Sequence, residues 1–398
     1  MNRSDIRQKV AARHREDFWR WLKQHFGFDA ASAVRLKYIL SPKKLSNAAL
    51  YSMYRNRHPL RVPYYPLTLM VEISTLCNLK CPGCERLLFQ TNPSCGGLPQ
   101  ANASLANLKK LAPVLPYIYS TYFVSGLGEP FLNPEFWDIH HFFKSFGMKT
   151  GYFTNASLLT EERIDRTFAE RVDSVLISID SYKRERFEAI KTGATFDKTL
   201  SGIKLFARKK REMGRRDFEL GLNFIFRSDN YGEILDYLDF AKSLKVDFIN
   251  ASAFIVHIEK EMDKSLCLVP AQVKRDLFDQ AALKAKRLGI RLRLPRIEPT
   301  TGCLCYHLWH GACIFYNGDV CACPFFRTPR PFYFHADNHH IVCEERHYED
   351  TVLGNYLRQN FFNDIWNGSR ARQLRRAEVS RQRDFNPCGM CYYKYELH

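Results

Sequence analysis

The stretch Cys77-Asn78-Leu79-Lys80-Cys81-Pro82-Gly83-Cys84 decides how the rest of the chain is read. It sets three thiols at C-x3-C-x2-C spacing on one short loop. The run before it, Leu67-Thr68-Leu69-Met70-Val71-Glu72-Ile73, is apolar or β-favouring almost throughout and reads as a strand. Three thiolates leaving one strand end can hold three irons of a cubane cluster. Simple clusters of this kind take four Cys ligands, so a local triplet leaves one iron open to another ligand. The competing readings are a zinc site, which normally wants four ligands in paired C-x2-C spacings, and three unrelated buried thiols.

Working outward, short polar motifs recur where further strand-like runs end. Gly126-Leu127-Gly128-Glu129-Pro130 follows a run at 121–125, Tyr152-Phe153-Thr154-Asn155 closes another, and Ser178-Ile179-Asp180-Ser181 closes a third. Strands are expected at 68–73, 119–124, 149–154, 174–179, 219–226 and 247–250, with helices between them at 134–146, 160–171, 196–213 and 231–244. Alternating βα units imply a parallel sheet whose ligand sites lie at the carboxyl ends of its strands. Every motif named falls at such an end. The pattern by itself does not separate an open sheet from a closed barrel.

The Cys triplet and the ordered motifs behind it resemble the radical S-adenosylmethionine (radical SAM) superfamily over residues 67 to about 255. The resemblance implies an α/β fold built on a partial (β/α)6 barrel, with Cys77, Cys81 and Cys84 holding a 4Fe-4S cluster that binds SAM. It further implies that Gly126, Gly128 and Glu129 receive the amino end of SAM, and that Asn155, Ser178 and Asp180 are cofactor-binding positions, the last two for ribose or carboxylate. Gly83 departs from the pattern, because many members carry an aromatic residue just before the third Cys.

The chain has 398 residues, enough for two or three domains, and is 45% hydrophobic and 14% aromatic, a globular composition. It lacks an apolar run of membrane-spanning length and an apolar signal-peptide core. Its thirteen Cys, several in C-x-C or C-x2-C pairs, point to metal ligation in a reducing, cytoplasmic setting. The net charge of +17 is uneven: residues 1–66 hold 14 Lys or Arg against 4 acids. This first segment reads as a basic helical extension, with a helix from Ser4 or Asp5 to about Phe26. Its bland role is to pack an apolar stripe on the main domain; a peripheral membrane contact is the other. Pro59, Pro63 and Pro66 mark the linker into a core domain spanning 67–298.

A helix at 270–288 and a strand at 290–294 follow, and then residues 299–398 change character, holding eight of the thirteen Cys. Asn317-Gly318 between two apolar runs signals a hairpin of type I′, which needs positive φ at both positions. That hairpin sets Cys305 before its first strand and Cys323 after its second. Cys388-Gly389-Met390-Cys391 is a metal-binding knuckle. This arrangement resembles the small auxiliary-cluster domain called SPASM, and better its shortened form, twitch. The resemblance implies a second 4Fe-4S cluster on Cys305, Cys323, Cys388 and Cys391. Cys303, Cys313, Cys321 and Cys343 compete for those places, and a structural zinc ribbon is the other reading. Residues 355–380 read as one basic helix anchored by Phe361, Phe362, Ile365 and Trp366, with Arg370, Arg372, Arg375 and Arg376 facing solvent.

The expected function is a radical SAM oxidoreductase acting on a polar small molecule, with the auxiliary cluster accepting or relaying an electron. An external donor such as flavodoxin or ferredoxin would reduce it, and no specific nucleic acid is expected. Two alternatives stand: a maturase of a ribosomal peptide, or a non-catalytic iron–sulfur or zinc protein binding nucleic acid or a partner.

Overall fold

The computed structural model describes residues 41–91, 100–124, 126–297, 305, 307–323, 330–336, 340–346 and 351–380. The helix expected near Ser4, and Cys303, Cys388 and Cys391, lie outside the described residues. The centre of the fold is one ten-stranded sheet in the order β12-β9-β8-β1-β2-β3-β4-β5-β6-β7. Its strands are β1 (Thr68–Glu72), β2 (Ser120–Val124), β3 (Lys149–Thr154), β4 (Ser174–Ser178), β5 (Glu219–Phe226), β6 (Phe248–Ala253), β7 (Arg291–Arg293), β8 (Gly311–Ile314), β9 (Asp319–Cys321) and β12 (Val352–Asn355). A separate antiparallel pair is formed by β10 (Arg330–Ala336) and β11 (His340–Arg346).

From β1 to β7 every neighbouring pair is parallel. The six expected core strands stand within two or three residues of their expected bounds. Between them run the helices Phe136–Ser145, Glu161–Ala169, Phe196–Glu212 and Ile234–Ser243. Side-chain alternation explains the layering. Leu69, Val71, Phe123, Val175, Ile177, Leu220, Leu222, Phe224 and Ile249 are fully buried and belong to the single large apolar core. The alternate residues Met70, Tyr122, Phe153, Ser178, Asn223 and Asn250 are only half-buried and line the opposite, concave face. The edges β7 and β12 do not pair, so the ladder is open, as in a partial barrel. Burial lowers the pKa of His307, just ahead of β8, to about 4, and the positive charge of Arg293 on β7 adds to this.

Three expectations are corrected below, and residues 41–66 take definite form against the core, which Ala48, Tyr51, Val62 and Tyr64 join. The helix Pro42–Tyr54 buries Lys44 and Asn47. Lys44 Nζ donates to the carbonyls of Phe146 (2.7 Å) and Gly147 (2.6 Å), closing the end of helix Phe136–Ser145. The proline-marked linker is a buried strap: Val62 exchanges two hydrogen bonds with the side chain of Asn367, and Trp366 Nε1 donates to the carbonyl of Tyr64 at 2.9 Å.

The turn at Asn317-Gly318 has positive φ only at Gly318 (+91°), and Gly318 N–H donates to the Phe315 carbonyl at 3.0 Å. It is therefore a longer loop ending in a left-handed glycine, not the two-residue type I′ turn. The expected single helix over 355–380 is broken into a π-helical turn, Phe361–Trp366, and the helix Ser369–Val379. Gly368 permits the break, since a Cβ there would lie 1.9 Å from the Asp364 carbonyl oxygen. Finally, Arg375 does not face solvent. It is 1% exposed, lies 4.6 Å over the Trp366 ring, and donates to the carbonyls of Leu308 (2.9 Å) and Leu60 (3.1 Å).

Candidate functional site

The β1 strand ends at Glu72, and the chain turns through Ser74 and Thr75 into the cysteine loop. That loop is held by its own backbone: Cys84 N–H donates to the Cys81 carbonyl at 3.0 Å, and Lys80 N–H reaches the Thr192 carbonyl at 2.9 Å. The three thiols are half-buried, neither sealed in the core nor fully in water. Burial raises all three thiols above their ordinary range, Cys84 to about 11, and each of Cys81 and Cys84 senses neighbouring cysteines of the triplet. Among the described residues no three His, Cys, Asp or Glu converge on one ion position. Thiols around a cubane need not do so, because each binds a different iron.

The predicted motif residues gather beside this loop. Gly128 is locked beneath the end of β1: an added Cβ would lie 2.3 Å from the Ser74 carbonyl oxygen and 2.5 Å from that of Leu76. Glu129 N–H donates to the same Leu76 carbonyl at 2.6 Å. The Glu129 carboxylate is 1% exposed and turns toward β3, accepting from Thr154 Oγ1 (2.6 Å) and Asn155 N–H (2.8 Å). Burial outweighs those bonds and pushes its pKa up to about 7. Asn155 Nδ2 lies 3.9 Å from Cys77 Sγ and 3.3 Å from Asn78 Oδ1, while Ser157 donates from both its amide and its hydroxyl to Asn155 Oδ1. Gly126 begins the loop and is exposed.

Ser178 ends β4 on the concave face, half-buried, where its register partner is Asn223. Asp180 behaves differently. It is fully buried, accepts from Ile225 N–H at 3.0 Å, and pairs with Lys191 Nζ at 2.8 Å. The structure thus commits the Asp180 carboxylate to Lys191 and not to open space. Lys191 is the functional candidate that sequence reading missed. Its ammonium, held protonated by Asp180 against the cost of burial, also acts on Cys81 and Cys84. A lysine following an ordinary helix, Arg184–Ile190, carries no local signal of such a role.

A second omission concerns Gly83. The ring of Phe254, just past β6, occupies the space a side chain would need, 2.6 Å from an added Cβ. Arg227 lies 4.9 Å over that ring and is itself held by Asp229 (3.1 Å) and Glu261 (3.0 Å). The Phe254 ring is thus packed against the cysteine loop at Gly83.

In the C-terminal region Cys305 and Cys323 are half-buried, and Cys305 N–H donates to Glu378 Oε1 at 2.8 Å. Cys313 and Cys321 face each other across β8 and β9 and are sealed in an apolar cluster with Phe315. Of the four described cysteines with described side chains, Cys305 and Cys323 are the accessible ones. Cys343 lies within β11.

Comparisons with known proteins match two stretches of the chain. Residues 71–241 match the radical SAM superfamily, and residues 303–392 match SPASM, an iron–sulfur cluster-binding domain. A tungsten-containing aldehyde ferredoxin oxidoreductase cofactor-modifying protein of Pyrococcus furiosus is 25% identical over 76% of this chain and 81% of its own length. An AdoMet-dependent heme synthase of Methanosarcina barkeri is 24% identical over 45% of this chain and 48% of its own length, so that match spans about half of the relative. In fold the chain is similar to Streptococcus suis SuiB bound to S-adenosylmethionine, with a TM-score of 0.56 and 15% identity over 83% of this chain and 70% of that one.

Proposed function

Because the chain belongs to the radical SAM superfamily and carries a SPASM iron–sulfur domain, we propose that it is an oxidoreductase acting on a polar small molecule. The observation that carries the enzyme reading is the convergence of Cys77, Cys81 and Cys84 with Asn155, Gly128 and Lys191 at one end of the sheet. When bound, the groups implied by these residues supply a 5′-deoxyadenosyl radical able to take a hydrogen atom from a substrate, and a second cluster able to take up the remaining electron.

The chain's own residues do the rest. Cys77, Cys81 and Cys84 would hold the SAM-binding cluster. Asn155, fixed by Ser157, is placed to donate an amide hydrogen toward Cys77 sulfur. Lys191 sets a fixed positive charge beside Cys81 and Cys84, suited to the carboxylate of SAM or to the charge of the cluster. Gly126, Gly128 and Glu129 shape the loop for the amino end, and Ser178 offers a hydroxyl for the ribose. Cys305, Cys323, Cys388 and Cys391 would hold the auxiliary cluster. The apolar core behind the motifs excludes water from the reactive centre. The small-molecule reading is supported by the Pyrococcus relative, named for modifying a cofactor. An external donor such as flavodoxin or ferredoxin would supply the first electron.

The test is iron and sulfide per chain in anaerobically reconstituted protein with Cys77, Cys81 and Cys84 all changed to Ala. About four irons are expected to remain on the C-terminal cysteines, while formation of 5′-deoxyadenosine, present in the parent protein, is lost. If no iron remains, the auxiliary cluster is wrong; if the parent protein never cleaves SAM, the enzyme reading is wrong.

A further inference from the structure

We propose that Asn223 and Asn250 form a substrate-recognition pair on the concave face, and that the substrate presents to them a neutral group with a hydrogen-bond donor and an acceptor side by side, a hydroxyl or a carboxamide. This rests on the radical SAM reading above and narrows the substrate class which that reading leaves open.

Strand register brings the pair together. Ser178 on β4 stands beside Asn223 on β5, and Asn223 beside Asn250 on β6. All three project from the same face, because the alternate residues Ile177, Leu222 and Ile249 are fully buried on the other. Ser178 is the residue assigned to the ribose of SAM. The pair occupies the next two strands of the sheet, with Asn223 one inter-strand step, about 5 Å, from Ser178. The level beneath the pair is filled. The ring of Phe248, two residues before Asn250, occupies the space over Gly221, two residues before Asn223, and would lie 2.2 Å from a Cβ added there. Arg291 lies 5.4 Å over that ring and is tied to Glu219 at 2.6 Å. The two carboxamides stand directly above this aromatic floor and, being half-buried, face the concavity.

The chemistry of the pair selects the group it binds. A strand covered on both faces is normally apolar at every position, and carboxamides left unbonded there cost free energy. Asn250 Nδ2 donates to Asn223 Oδ1 at 2.8 Å, which fixes the two side chains against each other. That bond uses one donor and one acceptor. Asn223 Nδ2 and Asn250 Oδ1 make no other hydrogen bond among the described residues. Exchanging nitrogen and oxygen in both side chains gives the same offer, one spare amide NH2 beside one spare carbonyl. A carboxylate only accepts, so it would meet the spare carbonyl unfavourably; an ammonium only donates, so it would meet the spare NH2 unfavourably. A hydroxyl or a carboxamide donates and accepts, and satisfies both halves of the pair at once. Arg293, beside Asn250 on β7, already has a partner.

The experiment uses the full chain, reconstituted with iron and sulfide under anaerobic conditions, and follows the binding of glutaramide, glutarate and myo-inositol by ligand-observed NMR. Glutaramide and glutarate share a shape and differ in charge and in donors. The parent protein is expected to bind at least one of the two neutral probes, and to bind glutarate about tenfold more weakly than that probe. N223L and N250L should each weaken the neutral probe by about tenfold, the loss of one or two hydrogen bonds. Leucine suits a strand position covered on both faces, and N223S and N250S repeat the measurement if a leucine variant loses its iron. Tighter binding of myo-inositol assigns a hydroxyl to the substrate group, and tighter binding of glutaramide a carboxamide. Neutral-probe binding unchanged in either substituted position, glutarate bound as tightly as the neutral probe, or no neutral probe bound by the parent overturns the proposal. SAM binding is measured by dialysis on the same samples. Variants that weaken SAM but not the neutral probe would give the pair to the cofactor and also overturn the proposal. A parent protein that binds a neutral probe but no SAM refutes the enzyme reading and leaves the pair standing; one that binds SAM but neither neutral probe does the reverse.

Discussion

Glu129 shows how one residue carries both fold and chemistry. Its carboxylate braces the loop after β2 against the end of β3, yet burial keeps its pKa near 7 where an exposed glutamate titrates near 4.5. Below pH 4.5 folded and unfolded chains both hold this proton. Between about 4.5 and about 7 only the folded chain keeps it, so its contribution to stability is lost as pH rises through that window. Urea unfolding of the parent and of E129Q at pH 5 and pH 7.5 is the check. The parent should lose about 2–3 kcal/mol more than E129Q across the interval; parallel losses would mean that Glu129 is ionised throughout. The sequence marked Glu129 by its place behind Gly128, but could not show that its carboxylate points into the protein.

At the scale of elements, the β8–β9 hairpin decides where the accessible cysteines stand. It buries Cys313 and Cys321 within the strands and leaves Cys305 and Cys323 beyond their ends. Gly318 makes the turn, with φ of +91° and Leu357 Cδ1 2.6 Å from the position a Cβ would take. Gly318→Val should therefore destabilise the chain by about 1–3 kcal/mol and lower iron bound in the cysteine-triplet Ala background, where only the C-terminal cysteines remain. Unchanged thermal stability would show that the loop absorbs the side chain. The hairpin was legible because Asn-Gly between apolar runs favours a tight turn. The turn type was not, because it depends on how β12 packs against β9.

Across the whole molecule, the segment before β1 and the region after β7 are joined by buried polar contacts. Arg375 is the centre of this join, bonding Leu60 and Leu308 while covering Trp366. Arg375→Ala removes those donors and leaves two carbonyls without them, with an expected cost of about 3 kcal/mol or more. Calorimetric unfolding should show a lowered midpoint for the variant, and an unchanged midpoint would mean that the strap contributes nothing to stability. Because β8 pairs directly with β1, loosening this join should also disturb the strand that leads into the cysteine loop.

The sequence by itself determined the parallel sheet, the strand ends that gather the motifs, and the closeness of Cys77, Cys81 and Cys84 on one loop. These are properties of local periodicity and spacing: alternating βα units leave little choice of topology, and three thiols on eight residues must be neighbours in space. The tertiary structure decided what depends on packing between distant segments. It drew the proline linker into a buried strap, sank Arg375, committed Asp180 to Lys191, and packed the Phe254 ring against Gly83. No local pattern encodes those partners, because each is set by which residues strand register and helix packing bring together, often a hundred or more positions apart in the chain.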